Sequence, residues 1–349
     1  MRYASRRRGN LDISSNDKIH ILFIERKSEG FFSLEKVFRQ LATSLPSERF
    51  ETSFQQASFG ASLTGLIRNL LSFKPADADI YHVTGDVNYL ALKLPPKKTV
   101  LTIHDLSILH YRTGIRRWVL KKLLFGLPAR RSKYLTVISR ATRDELLKQT
   151  GCDPDKVRVI ENALDDRMKG ADKLPFNSAR PNILQVGTLP YKNVPNLIRA
   201  IEGLECTLTL IGEPDEKTLR LLKEKNISYR NEKRVDSDAM RDEYRKADIV
   251  SFCSVFEGFG LPIIEAQAMR TPLVTSNIEP MKSVAGDGAL LVDPRDPADI
   301  RQAIESIIGD SRLRENIVER GLENIKRFEP AAIAQRYAEL YKEIMQSQS

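Results

Sequence analysis

Nowhere in these 349 residues do 18 apolar side chains run together, so no helix of the chain is built to cross a bilayer. Cysteine is scarce: Cys152, Cys206 and Cys253 are dispersed, odd in number and without CxxC or metal-ligand spacing. That excludes a disulfide scaffold and reads as buried or incidental thiols in a reducing compartment. No internal repeat or low-complexity tract occurs, and no Asp-x-Asp stands at a strand end to hold a divalent cation. The opening Met-Arg-Tyr-Ala-Ser-Arg-Arg-Arg-Gly-Asn lacks the apolar core of a secretory signal, so residues 1–17 are expected to form a disordered basic arm and the protein to be cytoplasmic.

What the chain has is length enough for two cores, an ordinary 41% hydrophobic content and a net charge of +9. The charge favours anionic partners without choosing among nucleic acid, an anionic membrane and a phosphorylated substrate.

Hydrophobic periodicity gives two successive α/β series. In the first, strands are expected at Lys18–Ile24, Phe50–Gln56, Asp79–Val83, Thr99–Ile103, Tyr134–Ile138 and Val157–Ile160. Helices are expected at Leu34–Leu41 with Ser33 as cap, at Leu63–Phe73, and from near Ser139. Polar residues from Asp165 to Pro181 read as a linker at 166–181 between domains at 18–165 and 182–328. The second series places strands at Asn182–Val186, Thr207–Ile211, Ile227–Arg230, Asp248–Phe252, Pro272–Thr275 and Ala289–Val292, with helices between them. Ile333, Tyr337, Leu340, Tyr341 and Ile344 share one face of a terminal helix within 329–349. Such alternation predicts doubly wound parallel sheets, with ligands beyond the carboxyl ends of the strands.

One stretch carries chemistry. Ser254–Met269 (Ser-Val-Phe-Glu-Gly-Phe-Gly-Leu-Pro-Ile-Ile-Glu-Ala-Gln-Ala-Met) follows an apolar strand and reads as a glycine turn opening a helix, with Pro262 in its first turn. Gly258 and Gly260 let backbone approach a ligand, and the helix start offers unpaired N–H groups to an anion, most simply phosphate. Glu257 and Glu265 bracket the turn. Carboxylates repel phosphate but accept hydrogen bonds from hydroxyls, so one ligand is expected to carry both an anionic group and sugar hydroxyls. A nucleotide sugar has both.

Glu-Gly-Phe-Gly-Leu-Pro-x-x-Glu resembles the Glu-x7-Glu signature of retaining glycosyltransferases of the family 4 type, whose GT-B fold sets two Rossmann-like domains face to face across a deep cleft. The likeness runs from about Asp79 to Tyr341. It implies that Glu257 lies by sugar hydroxyls, Glu265 by the ribose, and the amides of Gly258, Phe259, Gly260 and Leu261 by the donor diphosphate. Val186–Asn193 is similar to the family's first C-domain loop, which places Gly187, Thr188 and the cation Lys192 where positive charge steadies a leaving diphosphate. Many members carry Arg where this chain has Thr188. Leu210–Glu213 resembles the next nucleotide-side loop, with Gly212 by the base or ribose and Arg230 and Asn231 as candidates to meet the base.

Leu101–Leu106 resembles the N-domain motif whose His lies by the transferred sugar. His104 either donates to a sugar hydroxyl or orients the acceptor, and Asp105 either orders the loop or contacts the acceptor. His20, His82 and His110 match no motif and read as structural. The family's first N-domain loop often carries paired glycines, of which only Gly30 remains. Thr136–Arg140 and Val159–Asp165 resemble the motifs that close the N-domain. The resemblance further implies a UDP- or GDP-sugar as donor, a glycan or lipid-linked acceptor in polysaccharide synthesis, a last helix packing back on the N-terminal domain, no cofactor and no essential metal. No carboxylate nucleophile is evident at the N-domain strand ends, which agrees with attack by the acceptor on the face the diphosphate leaves.

Between Tyr111 and Tyr134 stand eight Lys or Arg residues and no acid. On a helical wheel Ile115, Val119, Leu120, Leu123 and Leu124 share one side, while Arg117, Lys121, Lys122, Trp118 and Phe125 take the other. Aromatics among cations fit an anionic membrane surface across 112–133; a solvated basic helix with Trp118 packed on a neighbouring loop fits equally well. Three function classes compete: a retaining glycosyltransferase, a catalytically silent GT-B-like binding subunit, and a nucleic-acid binder. The last leaves the phosphate-and-hydroxyl motifs without a role, so no nucleic-acid partner is expected.

Overall fold

The computed structural model describes residues 18–27, 33–60, 62–110, 112–170 and 172–348, so the basic arm and Gly30 lie outside the described residues. The first half contributes β1 (Ile19–Glu25), β2 (Phe50–Gln56), β3 (Ile80–Val83), β4 (Thr99–Ile103), β5 (Tyr134–Val137) and β6 (Val157–Val159), joined in parallel in the order β2-β1-β3-β4-β5-β6. Its helices are α1 (Ser33–Ser44), α2 (Leu63–Ser72), α3 (Gly114–Leu120), α4 (Leu127–Arg131) and α5 (Arg140–Thr150).

The second half contributes β7 (Asn182–Val186), β8 (Thr207–Ile211), β9 (Tyr229–Glu232), β10 (Ile249–Phe252), β11 (Leu273–Ser276) and β12 (Leu290–Val292), parallel in the order β12-β11-β10-β7-β8-β9. Around it lie α6 (Val194–Ala200), α7 (Glu216–Glu224), α8 (Ser237–Lys246), α9 (Leu261–Ala268), α10 (Met281–Ala285), α11 (Pro297–Gly309) and α12 (Ser311–Asn324). Helix α13 (Pro330–Gln346) closes the chain. These are the two doubly wound sheets that the alternation predicts.

The inner strands of each sheet, such as β4 and β10, are buried along their whole length, so helices must cover both sides, while the edge strands β2 and β9 are more polar and partly exposed. On the first sheet, one face is packed by α2, α4 and α5, and the other by α1 and α13, through Phe38, Ile333, Tyr337 and Tyr341. Helix starts are fixed by short polar side chains: Ser139 accepts from the Thr142 amide at 3.1 Å, Asp215 from Thr218 at 2.8 Å and Asp236 from Ala239 at 2.8 Å. All three cysteines are buried and free.

In both sheets the strand order reverses once, between β1 and β3 in the first and between β7 and β10 in the second. Diverging crossovers open a crevice at each reversal, at the carboxyl ends of the strands. The ends of β1 and β3 carry Glu25 and Thr84; those of β7 and β10 lead to Gly187 and Glu257.

The basic segment departs from its expected wheel. After α3 the backbone runs as a π-helix over Lys121–Gly126 before α4, and the wider i→i+5 turn shifts the angular phase. Phe125, expected among the cations, is buried, while Ile115, expected on the apolar side, is 72% exposed. Arg117 is tied down, donating to the Leu109 carbonyl at 3.1 Å. The third strand of the second sheet also starts two residues later than expected, at Tyr229.

Candidate functional site

At the second crevice, Lys192 leaves a 3-10 turn that ends on Asn193, whose amide side chain donates to the carbonyls of Cys253 and Pro294. The lysine's methylenes cover Gly187, where a β-carbon would stand 2.9 Å from Lys192 Cε; with φ at +87°, only glycine suits this position. Lys192 Nζ donates to Glu257 Oε1 at 2.7 Å and lies 4.6 Å from the centre of the Phe252 ring. Thr188 Oγ1 would lie 2.9 Å from a β-carbon on Gly212, so the two loops touch.

Helix α9 starts directly after Gly260. The Phe259 and Leu261 side chains pack into the C-domain core, Phe259 edge-on to Phe328, which leaves only their amides to face a ligand. Among the described residues, the N–H groups of Gly258, Phe259, Gly260 and Leu261 donate to no protein acceptor. They form the kind of unpaired helix-start array that binds anions. One turn into the helix, Glu265 Oε2 accepts from the buried Tyr244 hydroxyl at 2.7 Å. Burial raises the Glu265 pKa, opposed by that hydrogen bond and by the charge of Lys192.

The first domain meets this turn directly. Thr142 Oγ1 lies 3.3 Å from both the His104 and the Gly258 carbonyls, and His110 packs on Phe256 with ring centres 4.8 Å apart. Farther along, Lys36 donates to Ser237 Oγ at 2.6 Å, and the Leu164 amide to the Phe328 carbonyl at 2.8 Å. His104 Nε2 donates to the Thr84 carbonyl at 2.7 Å. That bond fixes the tautomer and leaves Nδ1, buried and without a partner, as an acceptor. Of the two roles foreseen for this ring, donation to a hydroxyl is therefore closed to its neutral form. Burial lowers its pKa, which favours that form, against the pull of Asp86. Asp105 accepts from the Ser107 amide at 2.8 Å and so orders its own loop.

Two other expectations change. Arg230 is paired with Glu232 and Glu243, and Asn231 donates to the carbonyls of Leu210 and Gly212, so both side chains brace the strand end where a base contact was expected. Glu25, by contrast, stands at the end of β1 in the first crevice, a carboxylate that the sequence reading overlooked. Tyr244, Thr84 and Thr142 were also missed: each acts through a partner distant in the chain, and no local pattern marks them.

The geometry is thus two facing crevices, one lined by a cation and free amides, the other by buried acceptors. The family described as Glycosyl transferases group 1 matches residues 166–324, and that described as Glycosyltransferase Family 4 matches residues 28–167. The chain belongs to the GT-B glycosyltransferases of the family 4 type. Among the relatives of this GT-B chain, the O-antigen chain mannosyltransferase RfbU of Salmonella typhimurium is 26% identical over 60% of this chain and 61% of its own length. That match therefore spans about three fifths of the relative. Sucrose-phosphate synthase from Thermosynechococcus elongatus superposes with a TM-score of 0.76 at 18% identity, covering 95% of this chain and 100% of its own. Anabaena HepE, solved in complex with UDP and glucose, gives 0.73 at 16% identity, over 93% and 100%. These likenesses establish the shared fold. Among the described residues of the GT-B chain, no helix is long and apolar enough to cross a membrane, and no group of three His, Cys, Asp or Glu side chains is placed to hold a metal ion.

Proposed function

We propose that this chain is a retaining glycosyltransferase that moves a sugar from a UDP- or GDP-linked donor to a glycan or lipid-linked acceptor in cell-envelope polysaccharide synthesis. The observation that carries the reading is the placement of Lys192 and the unpaired amides of 258–261 opposite His104, across a contact at Gly258. In this reading the diphosphate sits on the amides beside Lys192, Glu265 takes ribose hydroxyls, and Glu257 holds sugar hydroxyls while orienting the lysine. Gly187, Thr188 and Gly212 form the nucleotide-side wall. As the bond from anomeric carbon to phosphate breaks, negative charge grows on the diphosphate and the fixed cation and amides meet it. The acceptor hydroxyl attacks from the same face, its proton passing to the departing phosphate oxygen. His104 Nδ1 accepts from a hydroxyl of the transferred sugar. Glu25 is a poor rival as covalent nucleophile, since burial raises its pKa and Arg39 already holds Oε2 at 2.9 Å. Positive charge at the diphosphate comes from the chain itself, and no metal is assigned a part.

The cell-envelope assignment is supported by the O-antigen relative, and the nucleotide donor by the UDP complex of a structural neighbour. The acceptor's setting is supported by the first domain's outer layer, where Ile115 and Trp118 of α3 and Ile67 and Leu71 of α2 are exposed and Lys122 Nζ lies 5.0 Å from the Trp118 ring. Apolar side chains among cations suit docking on an anionic membrane at its cytoplasmic face. Turnover of a panel of UDP- and GDP-sugars, followed by nucleoside diphosphate release with and without acceptor lipid extract, tests the function. A chain that binds these donors and never turns them over is a silent binding subunit.

A further inference from the structure

The crevice between β1 and β3 holds two acids that water does not reach. Glu25 ends β1 at 1% exposure, and Glu35 lies in the first turn of α1 at 7%. Each is held by one cation: Arg39 donates to Glu25 Oε2 at 2.9 Å and Arg26 to Glu35 Oε1 at 2.8 Å. In each, the second oxygen, Glu25 Oε1 and Glu35 Oε2, has no hydrogen-bond partner. The Gln56 amide lies near enough to favour the charged form of Glu25 without reaching hydrogen-bond geometry. A buried polar atom left bare is costly, so a pair of them calls for an explanation.

Their surroundings supply one. The two acids line a recess with Arg26, Thr84 and Gly85 that is closed to a water molecule in this conformation, so a ligand hydroxyl enters only as its rim opens. Thr84 is the residue whose carbonyl holds His104, and Phe38, one helical turn beyond Glu35, packs edge-on to the His104 ring with centres 5.6 Å apart. The recess thus adjoins the ring proposed to meet the transferred sugar, and His104 Nδ1 is a third bare acceptor beside it. All three atoms accept hydrogen bonds, so a matching ligand must bring donors. Charge points the same way: both cations of this wall are already paired, Arg26 with Glu35 and Asp86 and Arg39 with Glu25, so neither is offered to an anion. Its outer edge is the pair of Arg26 with the exposed Asp86, the contact nearest solvent.

We propose that Glu25 and Glu35 are the acceptor-recognition residues, holding hydroxyls of an uncharged sugar at the first crevice and turning away a phosphorylated one. The inference rests on the transferase reading and adds the acceptor's chemistry to it.

The test uses the full chain, with UDP and GDP as nucleotide probes and methyl α-glycosides of mannose, glucose, galactose and N-acetylglucosamine beside mannose 6-phosphate as acceptor probes. Binding is followed by saturation-transfer NMR in the presence of nucleotide, and folding by the nucleotide-induced rise in melting temperature. At least one uncharged glycoside is expected to bind the unaltered chain and mannose 6-phosphate is not. Glu35→Gln and, separately, Glu25→Gln should weaken the glycoside roughly tenfold or more while keeping the nucleotide-induced shift. The proposal is overturned if the phosphorylated sugar binds as well, if no glycoside binds, or if Glu35→Gln leaves glycoside binding unchanged. A chain that no nucleotide stabilises fails at the transferase reading and takes this inference with it; one that binds nucleotide and fails the glycoside arms fails here alone.

Discussion

Nothing but a hydrogen separates Gly258 from the carbonyl oxygen of His104: a β-carbon on the glycine would lie 2.5 Å from that oxygen and 3.0 Å from Asp105 Cβ. The two domains meet here, backbone to backbone, at the turn proposed to carry the diphosphate. Gly258→Ala should force the domains apart. A misplacement of about 1 Å costs transfer roughly 100-fold, while nucleotide affinity, which the proposed function assigns to the second domain, should change little. Steady-state kinetics beside nucleotide titration checks the split, and equal losses in both would contradict it.

Lys192 is the cation assigned to the diphosphate beside the free amides. Lys192→Met should lower kcat by roughly 100-fold or more, since the charge it meets grows only as the bond breaks. Glu257→Gln, which removes the ion-pair partner at 2.7 Å, should raise KM for the donor as well.

Tyr244 is buried and donates to Glu265, so Tyr244→Phe leaves a carboxylate oxygen bare. Losing a hydrogen bond to a charged group should cost about 1.5–3 kcal/mol in urea unfolding. Because the bond lowers the Glu265 pKa, its removal should also push the acidic limb of donor binding to higher pH. A variant with unchanged stability and an unchanged limb would show that the pair does nothing for the site.

His82 is wholly buried between Tyr341 and Thr102, at 2.7 Å from each hydroxyl, and burial drops its pKa to about 3. The unfolded chain regains the ordinary 6.5, so below that pH the unfolded state binds the extra proton. Stability is full above pH 6.5 and falls as pH drops toward 3, by up to about 1.4 kcal/mol per pH unit from this residue. His104, also lowered, adds in the same direction. Urea midpoints at pH 7 and pH 5 measure the fall; His82→Gln, which keeps a bonding partner but no titration, should lessen it, leaving the share of His104.

At the outer layer, flotation on liposomes with anionic lipid should be lost in a chain carrying both Trp118→Ala and Lys121→Glu and kept in the unaltered chain. Flotation that ignores the two changes, or that needs no anionic lipid, removes the membrane proposal.

The strands were legible because a sheet covered on both faces favours apolar and β-branched residues, which dominate Ile19–Glu25 and Thr99–Ile103. The turn at 257–265 was legible because glycine, proline and acids at that spacing fit few other uses. Less was visible in the basic segment, where Phe125 is buried within a π turn invisible to a 100° wheel, and Ile115, ahead of that turn, is exposed. No local pattern sets Glu25, Glu35 or Tyr244 apart, since each gains its role from partners brought together by the fold.

The sequence by itself determined the two parallel sheets, their helical cover and the anion-ready turn, because those depend on side-chain periodicity and on backbone freedom within a few residues. Only the tertiary structure decided which atoms meet. The tautomer of His104 is set by Thr84, the bearing of Lys192 by Glu257, and the approach of the domains by Gly258 against a carbonyl from the other half of the chain. Such pairings join residues far apart in sequence, where desolvation and hydrogen-bond geometry act and local pattern leaves no trace.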